Sequence, residues 1–157
     1  MRQVRGFNTL ELQIKLTYTL LFLGLVLSFA PAIKAWREGI HLSSLIENIN
    51  EKAQAKYAHH VMKTRCLGGI NVSMVSLGLP DKDSLRSYSV AYVKATLSYQ
   101  PPKQVKITVG FPTVGEAVRL WSYIESAQVQ GKNLVIYKPI EYQPNRRYVK
   151  ATSGCFQ

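Results

Sequence analysis

Two spacings carry most of the chemistry this sequence could perform. Phe7 in Gly6-Phe7 is followed four residues later by Glu11, and Cys66 is separated from Cys155 by more than half of the chain. A carboxylate at the edge of an apolar segment is costly unless a cation meets it, so Glu11 points to a function. Two cysteines in an oxidising compartment suffice for one disulfide, and the alternative is a pair of unpaired buried thiols. They are too few for a disulfide-dense scaffold or a four-cysteine zinc site. A third grouping is basic. Lys132, Lys138, Arg146, Arg147 and Lys150 cluster in sequence with Tyr137, Tyr142 and Tyr148 among them. Cations that meet phosphates beside rings that stack on bases are one way to hold single-stranded nucleic acid. The competing reading is a solvated basic face matched to acidic neighbours or to anionic cell-surface polymers.

Other groupings lead to bland readings. His59-His60 are adjacent, so on a helix their side chains diverge by about 100°. No Cys, Asp or Glu stands at a ligand spacing beside them, which favours a solvated polar face over a metal site. Asn71-Val72-Ser73 matches a glycosylation sequon by chance. No nucleophile pattern, phosphate-cradling glycine loop or acid pair is present, so the residues give no case for catalysis, a cofactor or a metal.

These residues sit in a chain of 157 residues, enough for one ordinary domain. Its composition, 46% hydrophobic and 18% charged, excludes a disordered tail and a polytopic membrane protein. The net charge of +11 suggests an anionic partner, nucleic acid or lipid headgroups. The average hides an asymmetry. Leu16 to Ile33 carry no charge, whereas beyond Ile33 there are 17 Lys plus Arg against 8 Asp plus Glu. Eighteen uncharged residues reach roughly 27 Å as a helix, near the thickness of a bilayer core. Arg2 and Arg5 would keep the amino end in the cytoplasm and place the remainder outside. Three readings compete: a secretory signal peptide cleaved after Ala32 in Ala30-Pro31-Ala32, a plain membrane anchor, and a reading that also uses Gly6, Phe7 and Glu11.

The third reading is a resemblance. A short basic leader, Gly6-Phe7, and a glutamate four residues on, just before an apolar helix, resembles the leader of type IV prepilins and pseudopilins. The resemblance implies cleavage after Gly6 by a prepilin peptidase, N-methylation of Phe7, and Glu11 as the glutamate that sets register between subunits in a filament. It further implies other pilin subunits and an inner-membrane assembly platform as partners. The chain would sit once in the inner membrane with its head in the periplasm, then in a cell-surface pilus or a periplasmic pseudopilus. The chain departs from the usual Phe-Thr-Leu-Ile-Glu, having Phe7-Asn8-Thr9-Leu10-Glu11. Gln13, Lys15, Thr17, Tyr18 and Thr19 make the helix start more polar than a major pilin's, which points to a minor or specialised subunit. Lys15 lies at the favourable spacing for an ion pair with Glu11 inside one helix. Val109 to Ala117 weakly resembles a stretch of mannose-sensitive haemagglutinin-type pilins, favouring pilin over pseudopilin.

The elements that must position these residues can be read from periodicity. Leu42, Leu45, Ile46, Ile49, Ala53, Tyr57 and Val61 form a helical stripe, so one helix is expected from about Phe7 to about Arg65, weakened at Gly24, Pro31 and Gly39 and ended by Gly68-Gly69. A hairpin follows, with Ala91, Val93, Ala95, Leu97 and Tyr99 on one face, then Gln100 to Lys103, then Val105, Ile107 and Val109. Thr113 to Glu116 is a capping box opening a short helix with Val114, Ala117, Val118, Trp121 and Ile124 as its apolar face. Gly131 to Asn133 turns into a strand at Leu134 to Lys138, and Arg146 to Ala151 would form a last edge strand. The expected fold is α+β: a long amino-terminal helix packed on a small antiparallel sheet. Its parts would be a leader (1–6), a transmembrane and filament-core helix (7–33), its amphipathic continuation (34–66) and a head (67–157). In a secreted head a Cys66–Cys155 disulfide would pin the last strand to the helix end, resembling the cysteine-bounded carboxyl-terminal region of type IV pilins. The expected function is non-enzymatic: a filament subunit whose head serves adhesion or DNA capture. The alternatives are a type II secretion pseudopilin and a secreted basic binding domain released after Ala32.

Overall fold

The computed structural model describes residues 4–95, 97, 99–142, 149, 150 and 152–156, with side chains from Thr9 onward. One helix, α1, runs Val4–Thr64 without a break. The chain divides into two compact units, Met1–Glu38 and Gly39–Gln157.

In the first unit α1 is apolar on every side. The large side chains between Leu16 and Ile33, Phe22, Leu27 and Phe29 among them, are each more than half exposed. The helix is long and apolar enough to cross a membrane. Three of its hydroxyls are satisfied within it. Thr17, Thr19 and Ser28 each donate to the carbonyl four residues back, Gln13, Lys15 and Gly24, at 2.8 Å. In hydrocarbon an unsatisfied polar group costs several kcal/mol, so this back-bonding removes the main objection to polar residues there. Pro31 lies inside α1. It deprives the Leu27 carbonyl of its usual donor without ending the helix.

In the second unit the helix becomes one-sided. Leu42, Ile46, Ile49, Ala53, Tyr57 and Val61 are buried at steps of three and four residues, with Leu45 half-buried beside them. They face a four-stranded antiparallel sheet ordered β1-β2-β4-β3. Its strands are β1 (Ser87–Val93), β2 (Gln104–Gly110), β3 (Ala127–Gln130) and β4 (Asn133–Pro139). The register lines up Val90, Ile107 and Ile136 in one row across the sheet and Tyr88, Val109 and Leu134 in the next. These rows and the α1 stripe belong to one core, completed by Phe111, Ala117, Leu120 and Ile124. Helix and sheet are also joined by polar contacts. Tyr92 donates its hydroxyl to the Ala53 carbonyl at 2.7 Å, and Lys138 pairs with Glu47 at 2.6 Å. Burial, reinforced by the nearby Tyr57, holds the Tyr92 phenol well above its ordinary pKa, so it stays a donor.

Several details differ from the sequence-based expectation. In β1 the buried residues are Tyr88, Val90 and Tyr92, the opposite phase to Ala91 and Val93, and the strand stops at Val93. Two tyrosine rings bury far more apolar area than Ala91 and Val93, provided each hydroxyl finds a partner. Tyr92 finds Ala53, and Tyr88 donates to Asp83 at 2.7 Å. Burial first, and then Asp83, push the Tyr88 phenol up to about 12. The short helix α2 (Val114–Trp121) begins where expected, with Thr113 accepting from the Glu116 N–H. It buries Ala117 and Leu120, followed by Ile124, and leaves Val114, Val118 and Trp121 about half exposed. Small Ala117 permits the close approach to the sheet. The Trp121 indole instead donates to the Ala127 carbonyl at 2.8 Å. Helix α1 ends at Thr64, with Arg65 in the left-handed region, before Gly68-Gly69. β3 was not anticipated: it pairs with β4 across the two-residue turn Gly131-Lys132, in which Gly131 supplies a positive φ. The expected last strand falls mostly outside the described residues, although Val149 bridges Phe156.

Gly39 marks the start of the second unit, and a side chain there would collide with Tyr123. A Cβ built on Gly39 lies 2.5 Å from the Tyr123 Cβ, whereas one built on Gly24 meets nothing within 4 Å. The same substitution should therefore act oppositely at the two positions. Gly39→Ala should destabilise the second unit by about 1–3 kcal/mol through overpacking. Gly24→Ala should be neutral or stabilise α1 by up to about 1 kcal/mol. Thermal melts of the detergent-solubilised chain, followed by near-ultraviolet circular dichroism, would show a lowered midpoint only for Gly39→Ala.

Candidate functional site

The amino-terminal candidates lie on α1. Gly6 and Phe7 fall within the helical segment, and the Phe7 side chain lies outside the described residues. Glu11 is exposed and its Oε1 meets the Lys15 ammonium at 2.7 Å, one turn further on. Glutamate placed before lysine at this spacing is the favourable order on a helix. The charge of Glu11 is thus matched within its own chain. The pair is exposed and long-armed, so in water it is worth only a few tenths of a kcal/mol and can exchange partners readily. Oε2 has no partner among the described residues.

The carboxyl-terminal candidates are held by the disulfide Cys66–Cys155, with a separation of 89 residues. Two backbone hydrogen bonds run alongside it, Leu67 N–H to Gly154 C=O at 2.9 Å and Phe156 N–H to Arg65 C=O at 2.7 Å. The left-handed turn at Arg65 directs the chain out of α1 and into this pairing. A disulfide closing a loop of this length contributes on the order of 4 kcal/mol in the chain-entropy account.

Among the described basic candidates, Lys132 and Lys138 stand apart. Lys132 sits in the β3–β4 turn and Lys138 at the other end of β4, about 20 Å away at the rise of a strand. Lys138 is occupied by Glu47. Lys150 lies beside the disulfide, its N–H bonded to the Cys155 carbonyl at 2.9 Å. Arg146, Arg147 and Tyr148 lie outside the described residues. Tyr142 packs edge-on against Tyr57, with ring centroids 6.1 Å apart, and so contributes to packing. Sequence proximity suggested a cluster because it cannot show that the length of β4 separates Lys132 from Lys138.

His60 is half-buried, with Nε2 3.0 Å from the Gly68 carbonyl, where it closes the turn after α1. Among the described residues there is no group of three or more His, Cys, Asp or Glu placed to hold a metal ion. Asp83 has a structural task. Burial alone would raise its pKa, but the Tyr88 hydroxyl, the Leu85 and Arg86 N–H groups and the Arg86 charge outweigh that and hold it below the ordinary value. Its carboxylate thereby fixes the turn that launches β1.

Periodicity missed two features of the surface. One is the exposed apolar row Val114, Val118 and Trp121 on α2, assigned to the core because helical spacing alone cannot say which of two apolar faces turns inward. The other is a cavity between the β1–β2 connection and the disulfide-held segment, lined in part by Lys103 and Lys150. Residues so far apart in sequence carry no joint signal until the disulfide and the hairpin bring them together.

Breaking the disulfide should loosen this end of the second unit specifically. Cys66→Ser with Cys155→Ser should lower stability by about 2–4 kcal/mol. Hydrogen exchange should show early loss of protection at Leu67 and Phe156 while the β2–β4 ladder stays protected.

The chain matches no family model, no curated protein and no solved structure.

Proposed function

We propose that this chain is a non-enzymatic subunit of a type IV pilin-like filament, inserted in the inner membrane and assembled through its amino-terminal helix. In this reading Gly6-Phe7 is the processing site and Phe7 the methylated terminus. Glu11 is the assembly contact, and the 39–157 unit is the surface the fibre exposes. The observation that carries the reading is the phasing of Gly6-Phe7 and Glu11 at the start of one unbroken helix. From Leu16 to Ile33 that helix offers apolar side chains on all sides and no charge. Such a surface needs either lipid or other copies of the same helix around it. The exposed Glu11–Lys15 pair competes with the assembly role, and assembly requires that this weak, solvent-screened pair release Glu11 to the amine of a neighbouring Phe7.

The reading of a domain secreted after Ala32 is favoured by one observation, that residues 39–157 form a compact unit of their own. The mature amino terminus separates the two. Mass spectrometry of the protein from cells should find N-methylated Phe7 at the terminus, and Ile33 there instead would sink the filament reading. A second prediction concerns assembly. Glu11→Ala should leave processing after Gly6 intact and reduce recovery in sheared fibres at least about tenfold, the consequence of losing about 1.4 kcal/mol per incorporated subunit. Incorporation at the wild-type level, measured by immunoblot of the fibre fraction, would show that Glu11 is not the contact.

A further inference from the structure

The second unit contains a cavity of about 500 Å³ just past the carboxyl end of α1, within the size range of small-molecule sites. One wall is the β1–β2 connection, with Tyr99, Pro101 and Lys103. The other is the carboxyl-terminal segment, with Val149 and Lys150, and Leu67 also lines it. Both walls are fixed by backbone bonds. The Lys103 N–H donates to the Val93 carbonyl at 2.9 Å, and Lys150 exchanges bonds with Gly154 and Cys155 next to the disulfide. The walls meet where Gly154, at φ +68°, lies against the Tyr99 carbonyl so closely that a Cβ there would overlap it. A site whose walls are already ordered loses less entropy when a ligand enters.

Among the described residues the charged part of the lining has one sign. No Asp or Glu is among them, and besides the two lysines and Gln100 they are apolar, aromatic or glycine. Lys103 and Lys150 are exposed, and neither forms an ion pair among the described residues. Two lysines beside a tyrosine, a glutamine, a proline and aliphatic side chains suit a ligand with an anionic group and an apolar face. A nucleic-acid strand is better served by a longer groove with a series of cations and stacking rings. One tyrosine and two lysines around an open cavity of this size suit a single short group. A pyranose ring has such an apolar face in its axial C–H bonds, and a carboxylate or sulfate on it is a strong acceptor for a lysine point charge.

We propose that this cavity binds an anionic sugar, a pyranose carrying a carboxylate or a sulfate, with Lys103 and Lys150 meeting the anion and Tyr99 and Pro101 meeting the ring. This names a ligand class for the exposed surface in the filament reading. It is tested in solution without any fibre, so its failure leaves amino-terminal processing and the Glu11 assay untouched. The experiment is calorimetric titration of the full chain in a zwitterionic detergent with trigalacturonate, a sulfated heparin disaccharide, neutral maltotriose and hexathymidylate. At least one anionic sugar should bind with a dissociation constant below about 1 mM. Maltotriose should bind about tenfold more weakly or not at all, and the double variant Lys103→Gln, Lys150→Gln should lose about tenfold or more through its missing charge-assisted contacts. Both lysines are exposed, so the substitutions leave the fold in place. The proposal is overturned if neither anionic sugar binds, if maltotriose binds as well, if the double variant binds undiminished, or if hexathymidylate binds more tightly than both sugars.

Discussion

A helix that is apolar on every face cannot stand in water, and α1 is such a helix between Leu16 and Ile33. Leaving roughly ten large aliphatic and aromatic side chains hydrated would cost about 1.5–3 kcal/mol apiece. No tertiary contact within this chain could recover a sum of that size, because the segment wears those side chains all the way round. The first unit therefore depends on surroundings the chain does not itself provide. Several of its polar residues are adapted to that condition: the hydroxyls of Thr17, Thr19 and Ser28 bond back to the helix, and the Glu11–Lys15 pair is placed just before the uncharged run.

From Gly39 the same helix obeys a different rule. It buries one stripe against a sheet, and close packing replaces bulk apolarity as the organising force. Gly39 is where this begins, since only a residue without a side chain fits beneath Tyr123. At the other end, the left-handed turn at Arg65, two backbone hydrogen bonds and the disulfide return the carboxyl terminus to the end of α1. The positive charge is distributed over this unit in different ways. Lys138 is committed to Glu47, whereas Lys103 and Lys150 form no ion pair among the described residues and line a largely apolar cavity. The net charge alone suggested a diffuse attraction to polyanions, and the cavity gives part of that charge a defined place.

Much of the fold was legible in the residues. The stripe Leu42 to Val61, the alternation of Val105, Ile107 and Val109, and the Thr113–Glu116 cap each became the expected element, because each rests on a local period or a local hydrogen bond. The failures share a cause. In β1 both alternating faces contained residues fit for burial, and the tyrosine face won because Ala53 and Asp83 were there to accept the hydroxyls. In α2 the row Val114, Val118, Trp121 competed with Ala117, Leu120, Ile124, and the narrower row packed inward. β3, with three of its four residues exposed, has too weak an alternation to be read as a strand without its partner β4.

The sequence by itself determined the division into an apolar helix and a basic, folded remainder, the α+β class, the helix length and the candidates Gly6, Phe7 and Glu11. These follow from composition and from interactions spanning a few residues. Only the tertiary structure decided which faces of β1 and α2 are buried, that Lys132 and Lys138 stand apart, and that Lys103 and Lys150 line one cavity. Those outcomes depend on contacts between residues far apart in the chain, where two locally acceptable arrangements differ only in the partner each one finds.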